Sequence, residues 1–111
     1  MLNYDNYIAL FNTGNDAALL ERFFDDNVTF TGGHREYQGK AALKAFLDCV
    51  HDGVREVIRA QNVLQRDDLI FAEVDMDFVA SKPRPHFTFG ALQPGDILTV
   101  KFFAHYTVGT G

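Results

Sequence analysis

The hydrophobic positions of this chain change period partway along, from the helical 3.6 to the extended 2. Tyr4, Tyr7, Ile8 and Phe11 fall at i, i+3, i+4 and i+7, one apolar stripe of a helix. Asn3 stands where an N-cap belongs and Gly14 where a helix ends. Asn15 or Asp16 then caps a short second helix through Ala17, Leu19, Leu20 and Phe23. Asp25-Asp26-Asn27 marks a turn, 28–31 a strand, Gly32-Gly33 a break, and 35–37 a short extended piece. Gly39 opens a third helix. Its expected buried stripe is Ala42, Ala45, Phe46, Cys49 and Val50, widened by Leu43 and Leu47, and Gly53 ends it.

The second half reads as antiparallel strands. One covers 55–66, Asp67-Asp68 is a hairpin turn, and the next covers 69–80. That strand alternates cleanly: Ile70, Ala72, Val74, Met76 and Phe78 point one way, and Glu73, Asp75 and Asp77 the other, as when one face is buried and one wet. Pro83 and Pro85 lack amide donors, so 81–85 is expected to be irregular. An extended piece is expected at 87–91, a turn at Pro94-Gly95-Asp96, and a last strand over 97–108. Helices first and a meander after is an α+β order.

At 111 residues this is one expected domain, and 11 Phe within 47% hydrophobic residues supply a core. A net charge of −5 with no basic cluster argues against nucleic acid or an anionic membrane as partner. No apolar run approaches a membrane span, and the first residues lack a basic-then-apolar leader pattern. Cys49 stands alone, which points to a cytoplasmic protein without an intrachain disulfide. The four histidines His34, His51, His86 and His105 have no metal-ligand spacing, and no phosphate loop or Gly-x-Ser-x-Gly elbow is present; neither metal nor cofactor is expected. Cys49 falls on the expected apolar stripe and reads as an inert buried thiol.

Tyr7-Ile8-Ala9-Leu10-Phe11-Asn12-Thr13-Gly14-Asn15-Asp16, then Phe23-Phe24-Asp25-Asp26-Asn27-Val28-Thr29-Phe30, then Tyr37-Gln38-Gly39-Lys40-Ala41-Ala42-Leu43-Lys44-Ala45-Phe46 together resemble the opening half of the nuclear transport factor 2-like superfamily. That group includes SnoaL-like polyketide cyclases, ketosteroid isomerases, scytalone dehydratase and limonene epoxide hydrolase. The resemblance implies a single SnoaL-like domain over 1–111. Its fold would be a cystatin-like α+β barrel, with three N-terminal helices packed on a curved, mostly antiparallel sheet that forms a cone around one pocket. Most members continue past a turn like Gly109-Thr110-Gly111 into a final strand inside the sheet. Either the stretch is shorter than the natural protein or the sheet closes another way, and an exposed edge would invite pairing with a second chain.

The resemblance places Tyr7 where ketosteroid isomerases hold the tyrosine that donates to a developing oxyanion. A core tyrosine with a locally satisfied hydroxyl is the equal alternative. The rest of that constellation is missing: Thr31 falls at the carboxylate base, Ala104 near the oxyanion-hole acid, and Leu47 and Phe23 at supporting tyrosines. A steroid isomerase is therefore not expected. His34, after the Gly32-Gly33 break, falls near the pocket mouth as a proton carrier, or is simply an exposed loop histidine. Asn62 and Glu56 share parity with Ile58, Ala60 and Leu64. On that parity Asn62 points into the cavity and Glu56, near a strand end, is solvated, unless a bulge reverses them. Phe30, Phe46, Phe102 and Tyr106 complete the expected substrate lining. Phe87, Phe89 and Leu92 form either a lid or ordinary packing.

Glu73, Asp75 and Asp77 look like a metal site but belong to the outer sheet face, with Arg55, Arg59, Lys101 and His105 placed to pair with them. Three classes follow: an enzyme on a small apolar substrate (isomerase, cyclase, dehydratase or hydrolase), a non-catalytic ligand-binding domain, or an interaction module. A homodimer through the outer sheet face is expected, since many relatives pair there.

Overall fold

The computed structural model describes residues 3–32 and 35–108. Helix α1 (Tyr4–Phe11) starts where the Asn3 side chain accepts the Asn6 amide, and it buries Tyr4, Tyr7 and Phe11. Gly14, at φ +81°, takes the left-handed turn that most side chains avoid. The Asn15 side chain accepts the Ala18 amide and so caps α2 (Asp16–Phe23), which buries Leu19 and Leu20. Strands β1 (Thr29–Gly32) and β2 (Arg35–Gln38) form a small antiparallel pair, and α3 (Gly39–Val50) follows directly.

Helix α3 buries Leu43 and Leu47, with Phe46 and Val50 half-buried beside them, while Cys49 is exposed. The expected stripe was displaced. Cys49 lies six residues past Leu43, about 120° around the helix from it at 100° per residue. A buried inert thiol is thus the wrong description of Cys49.

Strands β3 (Val54–Arg66), β4 (Leu69–Ala80) and β5 (Ile97–Thr107) form an antiparallel sheet with β4 in the centre. Its inner face buries Ile70, Ala72, Val74, Phe78 and Ala80 against the helices and the segment after β4. Asp67 makes the β3–β4 turn at φ +44°, which aspartate tolerates better than most residues. The β1–β2 pair shares no strand pairing with this sheet, so no closed barrel forms among the described residues. The architecture is α+β: three helices on an open, curved antiparallel sheet.

Gln61 is an extra residue in β3, between the pairs Ala60↔Val74 and Asn62↔Glu73. Such a bulge flips every later side chain to the other face. Glu56 and Ile58, before it, face inward; Asn62, after it, faces outward. The segment 84–92 is a set of turns closed by an Arg84↔Leu92 bridge rather than a strand. Phe87 and Leu92 are buried against Phe78 and Val54, and Phe89, 45% exposed, lies on Phe78 and Phe102.

Candidate functional site

Tyr4 and Tyr7 lie one helical turn apart on α1, so their rings stack, with centroids 5.6 Å apart and planes at 11°. Tyr106 comes from β5. Its register partner is Ile70, whose side chain is wholly inside, and this turns the phenol toward α1. The Tyr4 and Tyr106 hydroxyls share a 3.0 Å hydrogen bond. The Tyr106 ring lies 5.4 Å from Tyr4 and 5.7 Å from Tyr7. Phe23 and Phe24 close over Tyr7 edge-on, at 5.4 and 6.0 Å.

Burial is the main reason all three phenols are held above the usual tyrosine range, because it penalises the phenolate. For Tyr4 the neighbouring Tyr106 adds to the effect. For Tyr7 the charges of Tyr4 and Glu56 add to it, and a hydrogen bond with Tyr106 works against it. The three groups are therefore neutral near pH 7. They can donate to an oxygen that gains negative charge, and they cannot serve as bases there.

A second polar group lies past the other end of α1. Asp16 opens α2, His51 caps α3, and Glu56 points inward from the start of β3. His51 Nδ1 lies 2.7 Å from Asp16 Oδ2, and Nε2 lies 2.7 Å from Glu56 Oε1. The three side chains are 10–15% exposed. Burial alone would lower the His51 pKa, but the bonds to Glu56 and Asp16 and their charges outweigh it and push it up to about 8. A cleft of about 210 Å³ opens beside this group, lined by Phe11, Gly14, His51, Val54, Arg55 and Glu56. The Phe11 ring meets His51 edge-on at 6.2 Å.

Of the residues singled out in the sequence, Tyr7, Tyr106 and Phe102 meet on the inner face of the sheet. Phe30 and Phe46 pack with Tyr37 between the β1–β2 pair and α3, joined to the tyrosines through Phe24. Asn62 is on the outer face of the sheet, not on the inner face expected of it. Its amide donates to Glu73 Oε1 at 2.8 Å, because the Gln61 bulge reversed its parity. Glu56 is nearly buried rather than solvated, for it precedes the bulge and is bound by His51. His34 and Gly109-Thr110-Gly111 lie outside the described residues.

The outer-face carboxylates make the expected pairs with Arg59 and Lys101. Arg59 clasps Asp77 at 2.8 and 2.9 Å, and Lys101 reaches Glu73 and Asp75. Arg55 instead donates to the Asn12 carbonyl, and His105 stacks on Phe71. Among the described residues no cluster of His, Cys, Asp and Glu has metal-binding geometry, and no helix is long and apolar enough to cross a membrane.

Two features escaped sequence reasoning. Tyr4 was visible only as a stripe position, although its spacing from Tyr7 already paired the two rings. His51 and Glu56 flank the Gly53 turn, a spacing that can bring them together, but nothing local pointed to Asp16.

No family model and no curated protein matches the sequence. Solved structures do. A candidate polyketide cyclase of Xanthomonas campestris pv. campestris superposes with a TM-score of 0.77 at 25% identity, over 95% of this chain and 77% of that one. A candidate SnoaL-like polyketide cyclase of Shewanella putrefaciens CN-32 gives 0.62 at 19% identity, over 95% and 77%. One of Mesorhizobium loti gives 0.62 at 16% identity, over 99% and 92%. Three helices on an open curved sheet, together with these neighbours, identify the fold as that of the SnoaL-like branch of the nuclear transport factor 2-like superfamily.

Proposed function

We propose that the protein takes a small, largely apolar molecule on the inner face of its sheet and holds one oxygen of it with the Tyr4, Tyr7 and Tyr106 hydroxyls. The observation that carries this is the convergence of three neutral, mostly buried phenols from α1 and β5, two of them at 3.0 Å. In a site shielded from water such donors favour charge developing on a carbonyl oxygen, by several kcal/mol where the geometry is preorganised. The reaction class that uses them is proton transfer or aldol-type ring closure beside a carbonyl. The names borne by the structural neighbours support the same class. Tyr7 is the central donor, Phe102 is an apolar wall, and Phe30 and Phe46 line the adjoining side.

A ligand carrier without turnover is the second reading. It is favoured by one observation: among the described residues, no carboxylate or imidazole is hydrogen-bonded to the phenol cluster. His34 is the candidate proton carrier that would separate the two. Titration with aryl ketones and phenols, followed by tyrosine fluorescence in a chain without Trp, tests the site. Binding that survives in the Tyr7→Phe/Tyr106→Phe double variant removes the phenols from it.

We also infer a homodimer through the outer sheet face. Leu64, Phe71, Ile97 and Phe103 lie on that face at 74%, 50%, 65% and 80% exposure. They flank ion pairs of both signs, as a self-complementary surface requires. A cytoplasmic setting agrees with the single, exposed thiol of Cys49.

A further inference from the structure

Asp16, His51 and Glu56 take no part in the phenol cluster, yet they bring three nearly buried ionisable groups from α2, the end of α3 and β3 to one point. A neutral imidazole carries one N–H and one lone pair, and an ionised carboxylate only accepts. Here each ring nitrogen lies 2.7 Å from a carboxylate oxygen. With both acids ionised, the two contacts are satisfied together only when the ring carries two protons. Loss of one leaves a carboxylate facing a lone pair at hydrogen-bond distance, in a place largely shielded from water.

We propose that Asp16, His51 and Glu56 form a proton-controlled clasp on the cleft beside Phe11 and Gly14. With His51 protonated, the clasp ties the start of α2 and the start of β3 to the end of α3 and holds the cleft narrow. With His51 neutral, one arm lets go and the cleft widens.

The surroundings leave this role to His51. Asp16 faces the ring from α2 and Glu56 from β3. Helix α1 presents the uncharged edge of Phe11, and the Glu56 charge also bears on Tyr7. Arg55 lines the cleft, but its guanidinium donates to the Asn12 carbonyl at 2.9 Å. In the turn after α3, Asp52 is engaged by Lys82 at 2.6 Å, and Arg84 donates to the Asp52 carbonyl. Among the described residues neither Asp16 nor Glu56 has another cation within ion-pair distance.

The upward shift of His51 to about 8 from 6.5 agrees in sign. A group with a raised folded-state pKa stabilises the fold fully below its unfolded value, and this contribution fades as pH rises through the folded value. The window is thus about pH 6.5 to 8, with the clasp fastened on the acid side.

The test is amide hydrogen exchange on the full chain at pH 6.5 and 9, corrected for intrinsic rates, beside an NMR titration of the His51 ring. The Leu19 amide donates to Asn15 and the Val54 amide to His51, so both report on the clasped ends, whereas Val74 reports on the core strand. The expected result is a His51 titration near 8 and a loss of protection at Leu19 and Val54 on the order of ten-fold beyond any at Val74. His51→Gln should abolish this step. Should that variant not fold, Glu56→Gln should lower the His51 titration point and shrink the step. A ring that titrates at or below 6.5, or equal loss at Val74, overturns the clasp.

Discussion

The Asn12 side chain holds the backbone of Ile58 by both of its polar groups. Its amide donates to the Ile58 carbonyl at 3.1 Å, and the Ile58 N–H donates to Asn12 Oδ1 at 2.7 Å. Among the described residues β3 is an edge strand, and an unpaired edge is a template for stray pairing. Asn12 thus stands in for a missing neighbour strand at one residue and fixes the end of α1 to the sheet. The same helix carries Tyr4 and Tyr7, so this contact sets where the phenols meet Tyr106.

Asn12→Ala should therefore do more than its position at a helix end suggests. Leaving the partly buried Ile58 amide and carbonyl without partners should cost about 1–3 kcal/mol. Urea unfolding measures it, with the midpoint lowered and the slope unchanged.

The phenols should resist ionisation. All three are held above the ordinary tyrosine value of 10.0 by burial, so they oppose charging in the fold. For an acid raised this way, stability is intact below the unfolded value and falls as pH climbs past about 10. Absorbance at 295 nm should show Tyr4, Tyr7 and Tyr106 ionising together with loss of the far-ultraviolet dichroism. Ionisation of all four tyrosines of the chain before any unfolding would contradict the burial.

Truncating Leu19 tests the packing beneath this site. It is 1% exposed in the cluster that contains Tyr4, Tyr7 and Phe11. Leu19→Ala should lose about 2–5 kcal/mol in denaturant unfolding, the range for a leucine cavity that cannot collapse.

Phe103→Lys bears on the dimer. Phe103 is 80% exposed on the outer face, and its register partner is Glu73. Light scattering after size-exclusion chromatography should show a dimer for the wild type and a monomer for the variant, with no change in fold by circular dichroism. A wild-type monomer at all concentrations would refute the interface.

Much of the architecture was legible in the residue pattern because it follows unbroken ladders. Tyr4, Tyr7 and Phe11 are buried as their helical spacing requires, and β4 alternates from Ile70 to Ala80 without a slip. The outer-face pairing of Arg59 with Asp77 and Lys101 with Glu73 followed from that alternation. The errors arose where one residue of offset matters. Gln61 inserts into β3 without any glycine or proline to mark it, and this alone moved Asn62 to the outer face of the sheet. Cys49 was misplaced because several apolar residues on α3 offered more than one stripe. The Asp16–His51–Glu56 group was hidden for another reason. Asp16 is thirty-five residues from His51, and only the packing of α2 against α3 and β3 brings them together.

The central claim is that Tyr4, Tyr7 and Tyr106 hold an oxygen of a small apolar ligand. Its most direct test is a calorimetric titration of an aryl ketone or phenol, chosen by screening, into the wild type and into the Tyr7→Phe/Tyr106→Phe variant. Saturable one-site binding that weakens at least ten-fold in the folded variant, about 1.4 kcal/mol or more, is the predicted result. Equal affinity for both proteins would contradict it and send the search for the ligand away from the phenols.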